Sequence, residues 1–179
     1  MQYPKRVVRN KCYSGGIIDV YKDTVELPGG KTEQWDYVCH KKGGGAAVVP
    51  VLPDGNILMV RQMRPAIDKE MLELPAGAGE NGEKTADTAR RELEEETGYR
   101  AVIIDKLARI YTAPAYCNEF TDIYLASGIE NTGRQKLDEA EDIVVESHEL
   151  GELLTMIKAG EITNAGTVAG ILAYNAHLQ

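Results

Sequence analysis

The sequence predicts an α/β fold in which a mixed sheet is held between helices, and three observations carry that expectation. Its first quarter alternates β-branched and aromatic residues with polar ones. One amphipathic helical stretch, 85–97, interrupts a series of short apolar runs, and two further helical stretches close the chain.

Residues 15–41, GGIIDVYKDTVELPGGKTEQWDYVCHK, alternate with strand period around the turn Pro28-Gly29-Gly30, which predicts an antiparallel hairpin. Gly43–Gly45 reads as a flexible join to the main domain. The apolar runs 46–52 and 56–64, separated by Pro53-Asp54-Gly55, predict a second hairpin whose strands are buried on both faces. A short strand at 70–74 stops at Pro75, and a glycine-rich loop through Gly77, Gly79 and Gly82 leads into the helix. That helix runs from Thr85 to Thr97, with Gly98 placed to end it in a left-handed conformation. Strands come next at 101–112, 120–126 and 143–150, and helices near 149–160 and 163–178. No internal repeat or low-complexity tract is present.

A chain of 179 residues is most simply one domain with a short addition, here an N-terminal strand region, 1–42, before the main domain, 43–179. The formal charge of −8 argues against indiscriminate binding to nucleic acid or an anionic membrane, which need a basic face. It leaves room for an anionic small substrate whose charge a metal ion neutralises. No apolar run approaches the roughly 20 residues that span a bilayer. Three scattered cysteines, Cys12, Cys39 and Cys117, form no disulfide framework or zinc ribbon, so the expected compartment is the reducing cytoplasm.

The chemistry concentrates in the helix. Glu92, Glu94, Glu95 and Glu96 crowd its C-terminal half, where like charges one turn apart repel and negative charge opposes the helix dipole. Ala86, Ala89 and Leu93 form its apolar stripe, and Glu92 and Glu96 fall along one flank, at the border of the core. Two carboxylates held there suit a hard divalent ion such as magnesium or manganese. Arg91, one turn before Glu95, is placed to brace the acidic turn. The glycine-rich loop ahead could aim a carbonyl such as that of Ala76 at the same ion.

Gly77, five residues, Glu83, seven residues, Arg91-Glu92-Leu93, then Glu95, Glu96 and Gly98-Tyr99 resemble the complete Nudix box. The resemblance implies an α/β/α sandwich and hydrolysis of a nucleoside diphosphate linked to another group. It implies Glu92 and Glu96 as principal metal ligands, Glu95 as a further one directly or through water, and the Ala76 carbonyl beside them. Glu83 and Arg91 would be a bracing pair, and the cofactor Mg2+, with Mn2+ as a substitute.

Pro114, sixteen residues after Gly98, lies in YTAPAYCNEFTDIYLA and resembles the marker of the ADP-ribose pyrophosphatase branch, although Ala115 stands where that marker usually has glycine. LPAG at 74–77 and RQMRP at 61–65 look like the same branch. The implied reaction is hydrolysis of ADP-ribose to AMP and ribose 5-phosphate. In LDEAEDI, 137–143, the resemblance implies Glu139 as general base and Glu141 as an additional metal ligand, with the two roles exchangeable on sequence alone. Arg61, Arg64, Pro114, Tyr116, Glu119 and Trp35 are the candidate substrate contacts, with Tyr21 and Tyr37 beside Trp35 as stacking or packing residues. His40, His148 and His177 receive no role. A homodimer through the N-terminal strands is implied as well. The alternatives are hydrolysis of another nucleotide sugar such as GDP-mannose, a sanitiser of oxidised nucleoside triphosphates, and a module that senses nucleotide sugars without cleaving them. The intact set of box carboxylates argues against the last.

Overall fold

The computed structural model describes residues 2–80, 82–137 and 142–179. The chain forms two compact units. One comprises Met1–Gly44 with Tyr111–Phe120, the other Gly45–Ile110 with Thr121–Gln179.

The first unit is an antiparallel sheet of β1 (Lys5–Ser14), β2 (Ile18–Glu26) and β3 (Thr32–His40), in that order. The expected hairpin is β2–β3, closed by Leu27 and Lys31. The sequence pattern predicts no separate strand for β1, and its composition explains why. KRVVRNKCYS lacks alternation, and the strand is fastened by charge: Arg9 donates twice to Asp23 (2.8 and 2.6 Å) and Lys11 to Asp19 (2.6 Å). The Arg9 guanidinium lies 4.2 Å from the Tyr37 ring centroid and 4.7 Å from that of Tyr21. The segment 111–120 is tied to β3, because the Val38 N–H reaches the Tyr116 carbonyl (2.7 Å) and the His40 N–H the Asn118 side chain (2.7 Å).

The second unit holds two sheets. One is ordered β10 (Ile143–His148), β5 (Ile57–Arg64), β6 (Lys69–Glu73); the other β7 (Ala76–Ala78), β4 (Gly44–Pro50), β9 (Phe120–Asn131), β8 (Tyr99–Tyr111). Its helices are α1 (Thr85–Thr97), α2 (Leu150–Ala159) and α3 (Ala165–His177). Adjacent residues of a strand face opposite ways, and the buried residues divide accordingly. Val48 and Leu58 join Ala89 and Leu93 of α1, whereas Val49, Ile57 and Met59 join Leu153 of α2 and Ile171 of α3. Helices therefore cover both faces, as expected.

Two expectations are corrected. The runs 46–52 and 56–64 do not form a hairpin. They meet only at their base, through the Val51–Ile57 bridge and the bond from the Leu52 N–H to Asn56 (2.8 Å), and then diverge: β4 pairs with β7, and β5 with β6 and β10. A continuous apolar run fixes that a strand is buried but not which strand it pairs with. The glycine-rich loop also begins as a strand. Ala76–Ala78 pairs with Gly45–Ala47, so Gly44 and Gly45 start β4 instead of forming a flexible join. Alanine and glycine carry little strand propensity, which hides both segments.

Candidate active site

The pairing of β7 decides which way its polar groups point. Pro75 accepts the Val48 N–H (3.0 Å), so in this antiparallel register the N–H and C=O of Ala76 and Ala78 face away from β4. β7 ends its sheet, and that outer edge meets α1. The Ala76 N–H donates to Glu96 Oε2 (3.0 Å), and the Ala78 carbonyl accepts from Arg91 Nη2 (3.2 Å). The Ala76 carbonyl lies on the same edge. Between them, a Cβ on Gly77 would run into the Glu92 carboxylate, so only glycine allows this approach.

Glu92 and Glu96 are 9% and 3% exposed, buried beside Ala89 and Leu93 as their flank of the stripe predicts. Arg91 organises the cluster. Its Nη1 donates to Glu92 Oε1 (2.7 Å) and Glu95 Oε2 (2.9 Å), while Nε and Nη2 donate to Glu83 (3.2 and 3.0 Å). Glu83 also accepts from the Thr88 hydroxyl (2.9 Å) and the Glu80 N–H (3.0 Å). The Arg91 bond, aided by these donors, lowers the Glu83 carboxyl to about 2, and the Glu83 bond raises the Arg91 guanidinium. Glu83 precedes α1, where its charge also favours the helix N-terminus. Three carboxylates, those of Glu83, Glu92 and Glu95, pair with the one guanidinium and Glu96 is held by the Ala76 N–H, so the four glutamates and Arg91 together carry a formal charge of −3 (four negative, one positive).

A NUDIX domain profile matches residues 41–168, most of the chain. The chain belongs to the Nudix family. This Nudix hydrolase is 36% identical over 168 residues to the ADP-ribose pyrophosphatase of Bacillus subtilis (strain 168), covering 93% of this chain and 90% of that protein. It is 34% identical over 168 residues, with the same coverage of both chains, to the methanol dehydrogenase activator of Bacillus methanolicus. A crystal structure of an ADP compounds hydrolase superposes with a TM-score of 0.89 at 19% identity, covering 99% of this chain and 95% of the other, which establishes the Nudix fold.

Nudix hydrolases generally use divalent metal ions, and the residues here suit one. Every donor is oxygen, the carboxylates are in excess over cations, and the Ala76 carbonyl shares their edge. Among the described residues no group of three or more acidic, histidine or cysteine side chains is arranged to hold a metal ion by itself. A hard ion that keeps several waters and takes one or two carboxylates plus substrate phosphates needs no such group.

The structure thus brings together Ala76, Glu83, Arg91, Glu92, Glu95 and Glu96. Glu139 and Glu141 lie outside the described residues. Arg61 and Arg64 stand on β5 in ion pairs. Arg61 bonds Glu146 through Nε and Nη2 (2.9 Å for the latter) and lies 3.6 Å from Glu70, and Arg64 bonds buried Glu73 (3.0 and 2.6 Å). Glu146 also meets His148 (3.0 Å), whose other ring nitrogen meets Glu152 (3.0 Å), giving that histidine a place in a hydrogen-bonded network. Trp35, Pro114, Tyr116 and Glu119 belong to the first unit, where the Thr112 hydroxyl donates to Glu119 (2.9 Å).

Two anchors of α1 escape sequence reading. Thr88, on Glu83, sits one turn before Glu92, a spacing that could have signalled it. Asp122, 1% exposed, accepts from Thr85 at the start of α1 (2.7 Å), from Arg109 (2.7 and 2.8 Å) and lies 2.6 Å from Lys106. Burial pushes its carboxyl up, but those donors outweigh burial and hold it well below the carboxylate range. Its signal was an acid inside the apolar run 120–126.

Proposed function

We propose that this chain is a Mg2+-dependent pyrophosphatase that hydrolyses ADP-ribose to AMP and ribose 5-phosphate, with Mn2+ able to substitute. The observation that carries the reading is the buried pair Glu92 and Glu96 flanking the Ala76–Gly77 edge within a cluster of net negative charge. Similarity to the Bacillus subtilis enzyme over nearly the whole chain supports the substrate.

In this reading Glu92, Glu96, the Ala76 carbonyl and Glu95 would hold the ion, and Glu141 would be a further ligand. A bound divalent ion neutralises the diphosphate and eases deprotonation of water. Arg91, itself held by Glu83, keeps the carboxylates in register through its bonds to Glu92 and Glu95. Water attacks one phosphorus, the bridging P–O bond breaks, and Glu139 takes the proton. Arg61 and Arg64, on β5, would contact the substrate. The three cysteines are free, which accords with a cytoplasmic enzyme. A homodimer through β1 completes the proposal, since β1 is an end strand, exposed almost throughout, with Val7, Val8 and Tyr13 at the surface.

The test is turnover of the purified chain with ADP-ribose and Mg2+, products identified as AMP and ribose 5-phosphate, and GDP-mannose as competitor. Absence of ADP-ribose hydrolysis with either metal removes the substrate; preferential turnover of GDP-mannose replaces it. Sedimentation of the chain at micromolar concentration tests the dimer, and a monomer there refutes it.

A further inference from the structure

Four donors converge on the end of α1 from the strap that succeeds β9. The N–H and hydroxyl of Thr132 both reach the Gly98 carbonyl at 2.9 Å. The Gln135 side chain donates through Nε2 to the Glu96 carbonyl (2.7 Å), and the Lys136 N–H donates to the Glu95 carbonyl (2.9 Å). Gly98, at φ 73°, lies directly beneath the strap, where an added Cβ would stand 3.1 Å from the Gln135 nitrogen.

A helix leaves its last carbonyls without partners inside the helix, and a basic side chain in the last turn is a common remedy. α1 has no basic residue there, and four of its last six residues are glutamates. A lysine or arginine in that turn would pair with those carboxylates and compete with a metal ion for them. Neutral amide and hydroxyl donors satisfy the carbonyls and leave the carboxylate charge intact. Two of the four donors act on the backbone of Glu95 and Glu96 themselves.

We propose that Gln135 is a positioning residue for the acidic helix: its amide, bonded to the Glu96 carbonyl, fixes the backbone from which Glu95 and Glu96 present their carboxylates to a divalent ion. This rests on the proposed function, in which these carboxylates hold the ion. Gln135→Met keeps length without the donor, and Gln135→His, studied at about pH 8 where a free imidazole is neutral, restores an uncharged N–H donor at similar reach. Mn2+ is titrated into the full-length wild type and both variants, with free Mn2+ followed by its paramagnetic resonance and melting followed without metal. The expected result is Mn2+ affinity weakened about five- to tenfold in Gln135→Met, as loss of one hydrogen bond predicts, and returned to within about twofold of wild type in Gln135→His. Activity of Gln135→Met recovers when Mg2+ is raised. A lower melting temperature in Gln135→Met with unchanged Mn2+ affinity reduces Gln135 to a structural cap and overturns the proposal. Wild-type protein that binds no Mn2+ overturns it together with the reading of the helix on which it rests.

Discussion

At Gly77 the edge of β7 and the side chain of Glu92 come so close that a single methyl group decides the arrangement. Gly77→Ala must move the Glu92 carboxylate, the far end of a flexible side chain, because β7 is held in place by the bonds of Ala76 to Glu96 and of Ala78 to Arg91. We expect this substitution to leave the melting temperature nearly unchanged, because a flexible side chain gives way, and to weaken Mn2+ binding as the Glu92 carboxylate is displaced. Thermal melting and Mn2+ titration check both, and an alanine variant with unchanged affinity contradicts the close approach. Glu96→Gln separates charge from shape at the neighbouring residue. The amide oxygen can still accept the Ala76 N–H, and one like-charge repulsion disappears, so the melting temperature should hold or rise. Turnover should nevertheless fall by about a hundredfold or more, since an oxygen anion that helps to hold a catalytic ion is lost. Steady-state kinetics beside a melt measures the two effects in one preparation.

The helix α1 is useful as an element because its strain is offset by fixed partners along its length. Arg91 spends its planar fork on Glu83, Glu92, Glu95 and the Ala78 carbonyl, a set that a point charge on a lysine stem cannot match. Arg91→Lys should therefore cost about 2 kcal/mol in denaturant unfolding, through charged hydrogen bonds that lysine leaves unmade. A loss no larger than the error of that measurement would show the fork to be dispensable. This helix was also the most legible part of the chain. Its bounds, its apolar stripe and the left-handed Gly98 follow from period and capping chemistry, and those rules act within one turn. β7, one strand away, was illegible because Ala76, Gly77 and Ala78 owe their strand conformation to β4 and not to their own side chains. The same distinction separates Arg91–Glu95, four apart and readable, from Gln135–Glu96 and Asp122–Thr85, whose partners are 39 and 37 residues apart and meet only through the tertiary fold.

Across the whole molecule the two units are held by different forces. Among the described residues Val25 is the one buried hydrophobic residue of the first unit, whose strands are joined instead by Asp19 and Asp23 with Lys11 and Arg9. The second unit owns both apolar clusters and all three helices. Hydrogen bonds from Lys11 and Arg9 hold the Asp19 carboxyl well below the usual range and lower that of Asp23. In the second unit the Arg91 and Arg61 bonds hold Glu83 and Glu146 at about 2 against an ordinary 4.5. A carboxyl lowered by folding supplies stability that is complete above its unfolded value and is lost as pH falls toward its folded value. The second unit therefore weakens between about pH 4.5 and pH 2 and the first as pH falls below about 3.8, but only the second retains an apolar core once its carboxylates are protonated. The single tryptophan, Trp35, lies on β3 and reports the first unit, while helical circular dichroism reports the second. On acidification the Trp35 fluorescence change should precede the loss of helical signal, and raised salt should widen the gap by screening the exposed ends of the ion pairs. Coincident transitions at every salt concentration would mean that the polar ladder of β1–β3 is as acid-resistant as the core, and that charge is not what fastens β1.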